Sequence, residues 1–346
     1  MLISLCVLTF NRASLLQECL NALALALDSH PEAHSFEVCV SDNASTDSTP
    51  EVIERFSSRF PAFRLQRHPC NIGFAGNYLS LFSLASGDWV VVMGDDDIAS
   101  HETLNLLLIH LRDERRVVFF RPPKGELAKI PETVLNEKLV YDSLSSLFAS
   151  LDIFDLSFIG NVVFPRDVVI PFSKSIDIRS AYPTAALALR LARHSGLTQV
   201  TGKLVQDTGV ARSWVQWQPI YTAIDTVRIV GTLVSPFVPK AITRKLLQKH
   251  LRSLPRSIML VRAGILPNLS ENPYRSVSIK NIYEVYSADY LYGVVSIFVW
   301  LVFSIVPLRL GCWIVGIDSS LRIGIKGSPK SPDMCLQESV EYTTTQ

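Results

Sequence analysis

Three apolar segments in the first hundred residues each end in a cluster of polar side chains, and this repetition constrains the fold more than any other feature. The segments are residues 2–10, 36–41 and 88–93, and stretches with apolar residues at helical spacing separate them. Strands that are apolar at nearly every position are typical of a parallel sheet with both faces covered. We therefore predict an α/β fold with a Rossmann-like, mostly parallel sheet flanked by helices.

The polar clusters follow directly after the apolar segments. They are Thr9-Phe-Asn-Arg12, Ser41-Asp-Asn43 and Gly94-Asp-Asp-Asp97. In open parallel sheets, ligands bind beyond the carboxyl ends of the strands. We expect one pocket to collect all three clusters.

The third cluster places three carboxylates side by side. Like charges this close raise one another's pKa, so the arrangement is costly unless a cation neutralises it. Hard oxygen ligands favour Mg²⁺ or Mn²⁺, and such an ion would stabilise a departing diphosphate. The alternative is a solvated acidic turn that caps the next helix, and the position after the apolar run Trp89 to Met93 argues against it.

The second cluster offers a different chemistry. The carboxylate of Asp42 could accept a hydrogen bond from the imino group of a pyrimidine or from a ribose hydroxyl. The segment Asp42-Asn-Ala-Ser-Thr-Asp47 also has the composition of a helix-capping loop. These residues alone leave both interpretations open.

Four motifs in order resemble a known family. They are Ser4-Leu-Cys-Val-Leu-Thr-Phe-Asn-Arg12, Val40-Ser-Asp-Asn-Ala-Ser-Thr-Asp47, Asn71-Ile-Gly-Phe-Ala-Gly-Asn77 and Ala85-Ser-Gly-Asp-Trp with Gly94-Asp-Asp-Asp97. This pattern resembles the family-2 glycosyltransferases of GT-A fold, and more closely their O-antigen abequosyl- and rhamnosyl-type members. The resemblance is specific over residues 1–105 and weaker to about residue 215.

The resemblance implies roles for particular residues. A nucleotide-sugar donor would contact side chains at the strand ends, namely Thr9, Asn11, Arg12, Asp42, Asn43, Asn77 and Asp96. Asp96 and Asp97 match the last two acids of the family's D-x-D-D pattern and would hold Mg²⁺ or Mn²⁺. Gly94 replaces the first acid of that pattern, which leaves Asp95 as an extra carboxylate. Many relatives carry arginine at the position of Gly76, and Arg67 is a candidate to replace that contact.

The family's general base is missing from its usual place. Relatives open a helix near residue 183 with an acidic pair, and this chain has Pro183-Thr184 there. The resemblance implies an inverting transfer, in which a base deprotonates the acceptor hydroxyl. Asp177 is our candidate base and Asp207 the alternative, although either could be a surface carboxylate. The Gln-x-x-Arg-Trp signature of processive synthases is absent, which favours transfer of a single sugar.

The C-terminal half has a different character. Residues 240–262 hold seven basic and no acidic residues among leucines, and residues 291–308 carry no charge. The uncharged run would contact lipid as a span or an interfacial helix, or form a buried helix. We predict a GT-A domain over residues 1–215, a helical, basic and hydrophobic membrane-associated region over 216–326, and a disordered tail over 327–346.

The composition of the chain limits the classes of molecule that it could bind. The formal net charge of +1 argues against nucleic acid as a partner, and six scattered cysteines without a CxxC pair predict buried, reduced thiols. We expect a polyprenyl-linked glycan acceptor at the cytoplasmic face of the inner membrane. Two rival functions remain, a catalytically inactive membrane-bound partner of a glycan assembly complex and a sugar nucleotidyltransferase.

Overall fold

The computed structural model describes residues 1–112, 114–122, 138–176, 180, 182–207, 226 and 228–251. Ten strands lie in these ranges. Their bounds are β1 Ile3–Thr9, β2 Phe36–Asp42, β3 Phe63–Arg67, β4 Trp89–Gly94, β5 Asp97–Ile98, β6 Val117–Arg121, β7 Lys138–Tyr141, β8 Val162–Pro165, β9 Leu197–Thr201 and β10 Gln206–Asp207.

Eight of these strands form one sheet in the order β3-β2-β1-β4-β8-β6-β9-β7. The strands β5 and β10 form a separate antiparallel pair. The α-helices of the described residues are α1 Ala13–Asp28, α2 Thr49–Ser57, α3 Gly73–Leu84, α4 His101–Leu111, α5 Leu144–Ser150, α6 Arg166–Ser173, α7 Pro183–Ser195 and α8 Lys240–Leu251.

The position of β4 in the centre of the sheet explains why its sequence is apolar at every position. Val90 and Val92 face one apolar cluster, whereas Val91 and Met93 face a second cluster on the other side of the sheet. All four residues are fully buried. A strand covered on both faces has no solvent side for polar residues, so the predicted two-sided α/β sheet is confirmed.

The order of the first four strands creates a switch point. From β1 the chain builds β2 and β3 on one side, and it then returns to pair β4 with the other side of β1. All of these pairings are parallel, so the strands end at the same edge of the sheet. In such sheets the crevice beside the switch point is the usual ligand site.

The second half of the sheet is mixed. The strand β8 runs antiparallel to both β4 and β6, and β7 runs antiparallel to β9. The sequence pattern predicts a strand over residues 158–164. The structure instead has a 3₁₀ turn over Ile159–Asn161 before β8 begins at Val162.

A buried carboxylate ties the strands together at the opposite, amino-terminal edge of the sheet. Glu37 accepts hydrogen bonds from the Arg64 side chain, from the hydroxyl of Ser4 and from both the backbone and the hydroxyl of Ser86. The backbone N–H of Gly87 also donates to it, at 3.1 Å. Burial alone would raise the pKa of Glu37, but these donors outweigh it and lower the pKa to about 2.

The chain beyond β10 is described only in part. Val230–Val234 form a π-helical turn and Ser235–Phe237 a 3₁₀ turn, and α8 follows. Among the described residues there is no helix with the length and apolar character needed to cross a bilayer. The segment 291–308, the boundary near residue 215 and the tail 327–346 lie outside the described residues.

The cysteines within the described ranges match the prediction of free thiols. Cys6, Cys19 and Cys39 are buried, Cys70 is partly buried, and none of the four is in a disulfide. Burial raises the pKa of the Cys6 and Cys19 thiols well above the ordinary value. These thiols therefore pack as small apolar side chains.

Candidate active site

The register of β1 brings the three polar clusters to one place. Thr9 at its end is paired with Asp42 of β2, and Leu8 is paired with Gly94 of β4. The hydroxyl of Thr9 donates a 2.8 Å hydrogen bond to Asp95, which joins the first cluster to the third across the switch point. The three clusters therefore lie together at one edge of the sheet, as predicted, and a single pocket that collects all three stays a prediction.

Arg12 is the positive partner of the acidic turn. Its Nη1 atom lies 2.6 Å from a carboxylate oxygen of Asp95 and 3.4 Å from one of Asp96. Burial raises the pKa of Asp95 although Arg12 and Thr9 oppose the increase. Burial alone would lower the pKa of Arg12, but the two carboxylates raise it. Asp95, the carboxylate to which the sequence assigned no role, is thus paired with the positively charged side chain of Arg12.

Asp97 and Asp96 lie against two glycines. Oδ2 of Asp97 accepts a 2.8 Å hydrogen bond from the backbone N–H of Gly94, and the side chain is almost fully buried. A Cβ on Gly94 would lie 2.6 Å from Oδ1 of Asp96, and a Cβ on Gly160 would lie 3.3 Å from Oδ2 of Asp97. Glycine in place of the family's first acid therefore leaves room for the carboxylate of Asp96.

The donor set at this turn fits a hard divalent cation that shares its coordination with a ligand. The described part of the chain contains no group of three or more His, Cys, Asp or Glu side chains arranged as a complete metal site. Asp96 and Asp97 could supply one or two carboxylate oxygens, with phosphate oxygens and water in the remaining positions, as is typical of Mg²⁺ sites. Burial and the three carboxylates raise the pKa of the nearby Cys19 thiol, whose Sγ lies 3.8 Å from the carbonyl oxygen of Gly94.

Asp42 lies at the end of β2 in a second charged group. Its Oδ1 atom accepts a 2.9 Å hydrogen bond from the backbone of Ser45, and its Oδ2 atom lies 3.3 Å from Nε of Arg67. Arg67 also donates to the carbonyl oxygen of Ser45 at 3.0 Å. A cleft of about 320 Å³ opens beside this pair and is lined by Asp42, Pro50, Ile53, Glu54, Ser57, Leu65 and Arg67.

The side-chain amide of Asn43 holds a neighbouring loop. Its nitrogen donates to Oδ1 of Asn71 at 2.9 Å, and its oxygen accepts from the backbone of Ile72 at 2.9 Å. These bonds fix the chain between β3 and α3 against the end of β2. Contact of Asn43 with a nucleotide stays a prediction.

Asn77 has a comparable role beneath the strand ends. Its oxygen accepts a 2.6 Å hydrogen bond from Ser41, and its nitrogen donates to the carbonyl oxygen of Thr9 at 3.4 Å. The side chain is buried and bridges the ends of β1 and β2. Direct contact of Asn77 with a nucleotide likewise stays a prediction.

The loops after β1 and β2 are locked to each other. Asn11 adopts a positive φ of 53°, its side-chain oxygen accepts from the backbone of Thr46 at 2.7 Å, and its N–H donates to the hydroxyl of Ser45. Ala44, in the loop after β2, has a φ of 64°. The left-handed region is costly for alanine, so the loop stores backbone strain beside Asp42.

Replacing Ala44 with glycine is expected to raise the free energy of unfolding by about 1 kcal/mol, because glycine adopts the left-handed conformation without a Cβ clash. Urea denaturation measures this change. Ala22→Gly in α1 is the matched control and should lower stability by about 1 kcal/mol, because α1 is a regular helix. Equal losses for both variants would show that Ala44 is not strained.

Helix α7 opens at the same edge as the acidic turn. The strand β9 runs parallel to β6, and through β8 both point in the direction of β4. A single residue, Gly196, joins α7 to β9, so Pro183 at the helix start lies at the edge where β9 ends. Thr184 is fully buried there, and the acidic pair of the relatives is not replaced at this position.

The structure describes only one of the two candidate bases. Asp177 lies outside the described residues. Asp207 lies in β10, and its backbone is paired directly opposite Asp97 of β5. Sequence reasoning missed both strands, because two residues each are too few for a periodic pattern.

Comparison with known proteins agrees with this geometry. Residues 4–143 match the sequence profile of Glycosyl transferase family 2. This region contains nearly all of β1, the strands β2 to β7 and the acidic turn, and over these residues the chain is similar to family-2 glycosyltransferases. The resemblance inferred from the four motifs is thereby confirmed.

Individual curated relatives match part of the chain. Over 115 residues the chain is 38% identical to abequosyltransferase RfbV of Salmonella typhimurium strain LT2. The aligned residues cover 32% of this chain and 33% of that protein. The chain spans less than half the length of the curated relatives that it matches.

The likeness in fold to solved structures extends beyond residues 4–143. S. aureus TarS 1-349 in complex with UDP superposes with a TM-score of 0.56 at 17% identity, over 88% of this chain and 91% of TarS 1-349. The mannosyltransferase PcManGT of Pyrobaculum calidifontis, in complex with GDP-Man and Mn²⁺, superposes with a TM-score of 0.55 at 17% identity, over 86% of each chain. These likenesses confirm the predicted GT-A fold class.

Proposed function

We propose that the protein is a glycosyltransferase that transfers one sugar from a nucleotide-sugar donor to a lipid-linked glycan, with inversion and with a divalent cation. The product would belong to the synthesis of an O-antigen-like surface polysaccharide. The observation that carries the proposal is the meeting of Thr9, Asp42 and the Asp95–Asp97 turn at the switch point of the sheet. The ends of β2 and β4 lie on either side of the end of β1, and the nucleoside diphosphate of the donor would bridge them.

The charges at the two ends suggest how the donor lies. Asp42 and Arg67 would receive the nucleoside, because together they offer an acceptor and a donor of hydrogen bonds beside a partly apolar cleft. Asp96 and Asp97 would hold Mg²⁺ or Mn²⁺ at the other end, and the ion would offset the charge of the departing diphosphate. Arg12 offsets the charge of Asp95, so the cation at Asp96 and Asp97 has one negative charge less to neutralise.

The donor and acceptor classes rest on the relatives. The match to an abequosyltransferase supports transfer of a single sugar in O-antigen-like synthesis. One neighbour in fold is in complex with UDP and another with GDP-Man and Mn²⁺, which supports a nucleotide-sugar donor and a divalent cation. A polyprenyl-linked acceptor would confine the reaction to the cytoplasmic face of the inner membrane.

Replacing the proposed base, Asp177→Asn, is expected to lower kcat by about 100-fold or more while donor affinity changes little, because a general base acts only on the acceptor hydroxyl. Asp207→Asn is the comparison variant. Single-turnover transfer and nucleotide titration separate the two effects. If Asp207→Asn shows this pattern and Asp177→Asn does not, Asp207 is the base.

The inactive-partner alternative draws on one observation. Pro183 and buried Thr184 occupy the place of the relatives' acidic pair at the start of α7. A partner protein without catalysis would still bind a nucleotide but would transfer no sugar. A nucleotidyltransferase would instead consume a nucleoside triphosphate and release pyrophosphate.

The deciding experiment incubates the purified full-length chain with labelled UDP-, dTDP-, GDP- and CDP-sugars, Mn²⁺ and membrane lipid extract. The proposal expects donor cleavage and label in the lipid fraction with at least one donor. Nucleotide binding without cleavage across the panel would favour the inactive partner. Release of pyrophosphate from a nucleoside triphosphate and a sugar phosphate would favour the nucleotidyltransferase.

A further inference from the structure

Helix α8 is fixed on the catalytic fold by one face. Leu246 and Leu247 are buried in the apolar cluster that also contains Leu191 of α7 and Val234 of the preceding turn. At its C-terminal end, Lys249 forms an ion pair with Asp152. The helix therefore holds its outer face in a set orientation relative to the domain.

The outer face of α8 is cationic. Lys240, Arg244 and Lys245 are exposed, and Phe237, three residues before the helix, is 47% exposed with the Arg193 guanidinium 4.2 Å from its ring centre. Residues 226–270 hold eight basic and no acidic residues. Because the whole chain has a net charge of only +1, the other residues are net negative and the positive charge is concentrated here.

A short series of contacts connects the C-terminal end of α8 to the edge of the active site. Asp152, the partner of Lys249, accepts a hydrogen bond from the backbone N–H of Phe154. The Phe154 ring lies 5.3 Å from that of Tyr182, edge to face. Tyr182 immediately precedes α7, whose start lies at the edge of the sheet that holds the acidic turn.

We propose that the α8 face formed by Lys240, Arg244 and Lys245 docks the protein on an anionic phospholipid surface. Basic side chains on a helix are attracted to anionic headgroups, and an exposed aromatic ring adds apolar contact at the interface. The inference rests on the proposed function in that docking here would bring the open edge of the site toward a lipid-linked acceptor. The docking itself needs only the charge and exposure of α8.

The test is sedimentation of the full-length protein with vesicles of phosphatidylcholine, with and without phosphatidylglycerol, at low and high salt. The wild type should prefer the anionic vesicles and lose the preference at high salt. The triple variant K240Q/R244Q/K245Q should bind them on the order of 100-fold more weakly, about fivefold for each cation. A triple variant that keeps the wild-type preference would overturn the proposal.

The matched control removes three exposed basic residues elsewhere. R55Q/R112Q/K174Q changes the net charge equally and should bind like the wild type, so an equal loss in this variant would also overturn the proposal. Unchanged urea midpoints show that both variants fold. If the wild type cleaves no donor yet shows the expected vesicle pattern, the proposed function fails and the docking surface stands.

Discussion

Asp97→Asn is expected to reduce donor turnover by about 1,000-fold, because the variant loses a proposed cation ligand and with it several kcal/mol of stabilisation of the departing diphosphate. Asparagine keeps an oxygen that can accept the hydrogen bond from the backbone of Gly94, so the fold should survive. Titration with nucleoside diphosphate gives a second readout. Mn²⁺ should strengthen binding to the wild type and have little effect on the variant.

Two further variants make the result specific. Asp28→Asn changes the same chemical group at an exposed ion pair with Arg59, and it should leave turnover unchanged. Asp95→Asn removes the carboxylate that is paired with Arg12 and should retain the response to Mn²⁺. If Asp95→Asn loses that response as fully as Asp97→Asn, the cation is not assigned to Asp96 and Asp97 alone.

The second large effect concerns stability. Glu37→Ala is expected to lower the free energy of unfolding by about 3 kcal/mol, because the buried Ser4 hydroxyl and Gly87 N–H lose this acceptor and the exposed Arg64 and Ser86 lose their bonds to it. Glu37→Gln keeps the shape and one acceptor oxygen, so its loss should be smaller. Urea denaturation at neutral pH measures both, and a loss below about 1 kcal/mol for Glu37→Ala would contradict a stabilising role for this network.

The same carboxylate predicts a pH dependence. Its pKa is lowered from the ordinary value of 4.5 to about 2 in the folded protein, so the unfolded chain takes up the proton first. The stability that Glu37 supplies is fully present above about pH 5 and is lost as pH falls toward 2. Between pH 6 and 3.5 the wild type should lose roughly 1 kcal/mol more than Glu37→Gln.

The sequence predicted the parallel half of the sheet well. The apolar segments 2–10, 36–41 and 88–93 match β1, β2 and β4 to within one residue at each end, because strands buried on both faces must be apolar throughout. It missed β7 and β9. In β7, Lys138, Leu139 and Val140 are all exposed on an edge strand, so burial does not impose a regular pattern there.

The candidate site was predicted less completely. Motifs placed Thr9, Asp42 and the acidic turn together, because the position of a residue at a strand end follows from the sequence. The pairing of Arg12 with Asp95 could not be predicted, since it depends on the side-chain geometry of two loops 83 residues apart. The sequence likewise contains the glycines that lie beside Asp96 and Asp97, but it does not show that they are close to the carboxylates.

The buried network of Glu37 and the acidic turn lie at opposite edges of one sheet. Substitutions in the loops around Asp42 and Asp97 would therefore leave the hydrogen bonds of Glu37, which join the strands, intact. Under the proposed function, donor preference could diversify among relatives while the hydrogen bonds at the opposite edge keep the sheet stable. Exchanging only these loops with those of a relative would then change sugar specificity without unfolding the domain.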